Sequence, residues 1–173
     1  HRGQQLQYAA HMGAEAKNRA VLLSDLRAAI ENAALFLVYQ PQVDLDTGDL
    51  IGLEALLRWR TADGRLVPPD QFIPVAEHSG LILPLGQRAL EMACQTLREL
   101  QMAGLAPARM AVNVSVVQLR DPGFLDMVCA ALSANGLAGH HLELEIKESV
   151  VVLPTQLLQS TLNALRAHGV TIA

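Results

Sequence analysis

Between residues 13 and 33 the side chains Ala20, Leu23, Leu26, Arg27 and Ile30 recur at three- and four-residue steps, and no Gly or Pro interrupts after Gly13. That period predicts a helix leading into a domain. Residues 1–12 are polar and aperiodic. After residue 33 the period changes to two. Residues 35–40 and 50–59 read as strands, separated by the turn chemistry of Asp46-Thr47-Gly48-Asp49, and so short a connection makes them an antiparallel pair. Residues 61–70, with Asp63-Gly64 and Pro68-Pro69, read as a loop. A short helix is expected at 71–78 and a long one from Pro84 to Ala103, ended by Gly104. Thereafter strands at 110–116, 142–146 and 170–173 alternate with helices at 122–135 and 154–168. Strands and helices in that alternation imply βα units and parallel pairing.

The composition fits this α/β reading. The 173 residues are 51% hydrophobic and only 17% charged, far from a disordered profile. Aromatics make up 3%, so the core must be built from Leu, Val, Ile and Ala. A net charge of −4 argues against binding nucleic acid, which draws its affinity from a basic face. It leaves room for a small phosphorylated ligand held by a metal or a well-placed Arg. Cys94 and Cys129 lie in apolar, helix-like stretches and read as buried free thiols, consistent with a reducing, cytoplasmic setting. No apolar run is long enough to span a bilayer. The chain opens on His1-Arg2-Gly3 and ends on an apolar strand whose edge would be unpaired. It therefore reads as a piece of a longer protein, which could carry a membrane anchor elsewhere.

Three strands carry polar residues where a helix-covered parallel sheet should be apolar. By the two-residue period, Glu54, Leu56 and Arg58 share one face, opposite Leu53, Ala55, Leu57 and Trp59. Asn113 and Ser115 share a face, as do Glu143, Glu145 and Lys147. A solvated sheet face is one reading. The other is a set of carboxylates and an amide at the ends of neighbouring strands, a donor set for a hard cation such as Mg²⁺ or Mn²⁺. Other polar features have simpler explanations. His78 sits at a helix end and reads as a cap or surface group. His140 and His141 read as loop residues. Asp44, Asp46 and Asp49 lack the spacing of a calcium loop and read as a hairpin turn.

The motifs in order resemble one family. Tyr39-Gln40-Pro41-Gln42-Val43-Asp44 resembles the opening strand of EAL domains, and Glu54-Ala55-Leu56-Leu57-Arg58-Trp59 the signature that names them. Residues 68–77 resemble the segment that follows. Ala111-Val112-Asn113-Val114-Ser115 and Glu145-Ile146-Lys147-Glu148 resemble the next two motifs. Residues 1–12 resemble the tail of a GGDEF domain, 13–33 a linker helix, and 34–173 the N-terminal part of an EAL domain.

The resemblance implies the first half of a TIM-like β/α barrel with an antiparallel first strand. It implies metal-dependent hydrolysis of cyclic di-GMP to linear pGpG, using Mg²⁺ or Mn²⁺. Glu54, Asn113 and Glu145 would be metal ligands. Arg58 and the backbone near Leu56 would hold phosphate, Gln40 would lie near the site, and Glu148 would steady a neighbouring loop. The family usually has Thr where this chain has Lys147. Its members also continue past Ala173 with an Asp-Asp-Phe-Gly motif, a Lys, a Glu and a Gln that share in the site. The chain taken alone is therefore expected to be inactive as a monomer and open to association through its last strand. A degenerate EAL domain that binds cyclic di-GMP as a sensor is the alternative function.

Overall fold

The hairpin expected from the alternation at 35–59 is present, and it is longer than the apolar residues alone indicate. The computed structural model describes residues 2–32, 34–105, 109–146 and 156–173. Strand β1 (Leu35–Val43) pairs antiparallel with β2 (Leu50–Arg60), and the register sets Gln40 opposite Glu54 and Gln42 opposite Gly52. The turn is closed by the Asp44 carboxylate, which accepts from the backbone N–H groups of Asp46 and Thr47 at 2.9 Å each. These donors favour the ionised form and hold the Asp44 carboxyl below the usual carboxylate range.

Strand β3 (Leu66–Val67) adds a short antiparallel pairing to the end of β2, where a loop was expected. Helices α2 (Pro69–Ser79) and α3 (Ile82–Met102) follow. The main sheet then proceeds through β4 (Arg109–Val114), β5 (Leu142–Ile146) and β6 (Thr171–Ile172), all parallel to β2, in the order β1-β2-β4-β5-β6. Connecting them are α4 (Val116–Leu119), α5 (Phe124–Ala134), a 3₁₀ turn at Gly139–His141, and α6 (Gln156–Ala167). The result is an open, mixed α/β sheet whose parallel strands alternate with helices.

Two boundaries differ from expectation for identifiable reasons. Helix α1 runs unbroken over Arg2–Glu31, so residues 2–12, although aperiodic, are helical: backbone hydrogen bonding continues a helix whether or not its residues form an apolar stripe. Strand β4 stops at Val114, and Ser115 leaves the strand to cap α4. Its Oγ accepts from Gln118 N at 3.4 Å while Gln118 Oε1 accepts from Ser115 N at 3.0 Å, a reciprocal capping box. Ser115 is thus a helix cap and shares no strand face with Asn113. The histidines His140 and His141 lie in a 3₁₀ turn with rings 4.1 Å apart, as loop residues.

Two apolar cores hold the elements. One lies between the sheet and α3, α5 and α6, around Leu97, Met110, Leu142, Leu144 and Leu165. The other clamps α1 onto α2 and the end of β2, around Leu26, Trp59, Phe72 and Leu85. In it the rings of Trp59 and Phe72 meet edge to face at 5.7 Å. Both cysteines are free; Cys94 is buried and Cys129 half-buried. Among the described residues no helix is long and apolar enough to cross a membrane.

Candidate functional site

Strand parity and register together build the site. On β2 the helix-facing side chains include Ala55 and Trp59, both buried. The opposite face therefore carries Gly52, Glu54, Leu56 and Arg58. Register extends this face across the sheet. Gln40, Glu54, Ala111, Glu143 and Thr171 form one row. Asn113 and Glu145 are direct partners one pleat nearer the C-terminal ends of the parallel strands. Gln42, Gly52 and Arg109 form a row one pleat below.

Three of the expected ligands converge. Asn113 Nδ2 donates to Glu54 Oε1 at 2.7 Å, joining residues 59 positions apart. Glu145 stands beside Asn113 in register, and burial and the negative charges of Glu54 and Glu143 push its carboxyl pKa up. Gln40 faces Glu54 across the hairpin. Arg58 lies two pleats beyond Glu54 on the same face, with Nη1 donating to Leu57 O at 2.9 Å, and the Leu56 backbone lies between them. Lys147 and Glu148 lie outside the described residues.

The donor set suits a hard divalent cation. It offers carboxylate oxygens from two strands, and an amide whose N–H is committed to Glu54 while its Oδ1 accepts nothing among the described residues. Among those residues no three His, Cys, Asp or Glu side chains come together to hold a metal, so a cation at this place would have to take the amide of Asn113 as a third donor. Burial first, and then the nearby Glu54 and Glu143 charges, disfavour an ionised Glu145, a condition that a bound cation would relieve.

Sequence reasoning placed Glu143 on this face without a role and overlooked Gln42, Gly52 and Arg109. Gln42 Nε2 lies 3.5 Å from Glu145 Oε1. Arg109 Nε lies 2.9 Å from Glu143 Oε2, and Glu143 is nearly fully buried. The Arg109 N–H is not aimed at that oxygen, so the contact is a close charge pair rather than a directed hydrogen bond. Parity could have found these residues: Gln42 follows Gln40 by two, and Arg109 precedes Asn113 by four. A cavity of about 820 Å³ opens elsewhere, between α1 and the β2–β3 turn, bordered by Asp25, Phe36, Arg60 and Arg65. It holds none of the carboxylate–amide set.

Comparisons with known proteins point to one family. The family model for the EAL domain matches residues 23–173. A bifunctional diguanylate cyclase/cyclic di-GMP phosphodiesterase, MucR of Pseudomonas aeruginosa, is 40% identical over 162 residues, which cover 94% of this chain and 24% of that protein. The solved PaMucR phosphodiesterase in complex with c-di-GMP superposes with a TM-score of 0.82 at 41% identity, covering 87% of this chain and 61% of that one. The Xanthomonas citri FimX EAL domain in complex with c-di-GMP gives 0.80 at 26% identity, covering 92% of this chain and 61% of that one. The chain spans about a quarter of the length of the curated relatives it matches first. With its fold, its ordered motifs and the matched span in agreement, the chain belongs to the EAL domain family.

Proposed function

We propose that this chain forms part of a metal-dependent phosphodiesterase that hydrolyses cyclic di-GMP to linear pGpG. The observation that carries the reading is the convergence of Glu54, Asn113 and Glu145 from three adjacent strands, with the 2.7 Å Asn113–Glu54 bond at its centre, in a chain of this family.

The residues divide the work. Glu54, Asn113 and Glu145 hold Mg²⁺ or Mn²⁺, and Gln40 borders them. A divalent cation bound there would neutralise the phosphodiester charge and lower the pKa of a water, so that hydroxide is available as the nucleophile. Arg58, on the same face and close to the C-terminal end of β2, turns its guanidinium from the Leu57 carbonyl to the ligand phosphate, a planar donor well matched to that group. The Leu56 backbone lies against the same phosphate. Glu148 steadies an adjoining loop. A GGDEF-like domain precedes residue 13 in the parent protein and is its partner.

In the protein that carries this chain, cyclic di-GMP is expected to yield pGpG in the presence of Mn²⁺, to be left intact in EDTA, and to be left intact by the Glu54→Ala variant. Turnover that survives both treatments would refute the reading. Tight cyclic di-GMP binding with no turnover would favour the alternative, a sensor that does not cleave.

A further inference from the structure

Beneath the proposed ligands lies a polar layer that the reaction does not itself require. Gln42 reaches from β1 across the sheet face, and its Nε2 stands 3.5 Å from Glu145 Oε1, a long contact joining positions 103 residues apart. The side chain can lie there because of Gly52. A Cβ on that residue would sit 2.6 Å from Gln42 Oε1, closer than real contacts allow, and a tight 3.1 Å from Arg109 Cγ. Gln42 Oε1 is buried and accepts no hydrogen bond, and Arg109 Nε, on the other side of Gly52, is a buried donor without a directed one. Arg109 in turn sits against the buried Glu143 carboxylate. An acceptor, a donor and an acid thus crowd one point, directly below Glu145. Buried polar groups left in that state cost stability, so a well-packed fold retains them for another purpose.

We propose that Gln42, seated over Gly52 and backed by the Arg109–Glu143 pair, is a positioning residue that holds the Glu145 carboxylate toward Glu54 and Asn113. The amide restrains one Glu145 oxygen and leaves the other for a cation. Arg109 balances the Glu143 charge, so that the site presents two uncompensated carboxylates rather than three. Groups that orient a ligand in this way commonly change metal affinity by about 10- to 100-fold when removed. The inference rests on the metal-binding reading for its consequence, though not for its geometry.

Two variants test it by different routes. Gln42→Leu removes the amide; Gly52→Ala leaves Gln42 intact but drives it from its seat. Both are expected to weaken Mn²⁺ binding, read by titration calorimetry, by about 10-fold. Their melting temperatures should stay close to the parent's, which a merely structural role would not allow. The double variant should be no weaker than either single one, because both break the same contact. Wild-type Mn²⁺ affinity in a folded Gln42→Leu protein, or full additivity in the double variant, would overturn the proposal. A metal-free crystal structure of Gln42→Leu gives the independent reading. A Glu145 carboxylate displaced from Asn113 supports the positioning role, and an unmoved one refutes it. If the parent protein bound no Mn²⁺ while Glu145 still moved, the metal assignment alone would fall.

Discussion

The two faces of strand β2 obey opposite rules. On the helix side, Ala55 and Trp59 are 4% and 2% exposed and merge with the two cores. That face is made by burial of apolar area, and its residues are interchangeable with others of similar size and shape. On the other side, Glu54, Asn113 and Glu145 bring carboxylates together against their own repulsion. The Asn113–Glu54 bond offsets only part of that repulsion, and under the proposed function a bound cation would offset the rest. The apolar core lies on one face and the proposed chemistry on the other, separated by the thickness of one strand.

Substitutions can break this contrast or sharpen it. The largest effects should separate cleanly. Trp59→Ala removes a buried indole and its Phe72 contact and is expected to cost about 3–5 kcal/mol in urea denaturation. Glu54→Ala should abolish turnover with little change in the unfolding midpoint. An equal loss of stability in both would erase the distinction between the faces.

Next in size is Gly86→Ala, which tests how the two faces communicate. A Cβ at Gly86 would lie 1.8 Å from Gln118 Nε2, and Gln118, 4% exposed, closes the capping box that turns the chain just after Asn113. Eviction of that side chain should cost about 1–3 kcal/mol by denaturation. Adding Gln118→Ala should recover part of the loss, since the two side chains compete for one space.

A smaller effect should appear at Glu145. Its pKa is raised by burial and by its acidic neighbours. In metal-free protein its ionisation therefore opposes folding, fully so above its folded pKa and not at all once the pH has fallen below the unfolded value. Glu145→Gln should stabilise the metal-free protein near pH 7 by no more than about 0.5 kcal/mol, given its partial exposure. The advantage should vanish as the pH drops toward about 4. A variant less stable than the parent at neutral pH would contradict it.

The smallest effect is a difference in thiol labelling. Burial pushes the Cys94 thiol up to about 11, whereas Cys129 is half-buried. A disulfide reagent at pH 8 should modify Cys129 first and reach Cys94 only on unfolding. Rapid labelling of both in the native protein would show that the helix-facing core is looser than its packing implies.

Much of this was legible in particular residues. The alternation at 35–59 with the Asp46-Thr47-Gly48-Asp49 turn was enough for the hairpin, and Gly104 for the end of α3. The parity of Glu54 and Arg58 against Ala55 and Trp59 held in three dimensions. Local pattern misjudged places where contacts from afar set the outcome. β3 exists only because the end of β2 offers it a partner. Ser115 became a cap because Gln118 follows it by three residues and Gly86 makes room for that side chain.

By itself, then, the sequence determined the order of the main strands and longer helices, the parallel pairing and the identity of the acidic and amide residues on one face, because these follow from side-chain period, turn chemistry and motif order along the chain. Only the tertiary structure decided that Asn113 bonds Glu54, that Gln42 crosses to Glu145 over a glycine, and that Arg109 accompanies Glu143. Those pairings depend on strand register and on a clash that a missing Cβ avoids, and neither is written in the local pattern of any one segment.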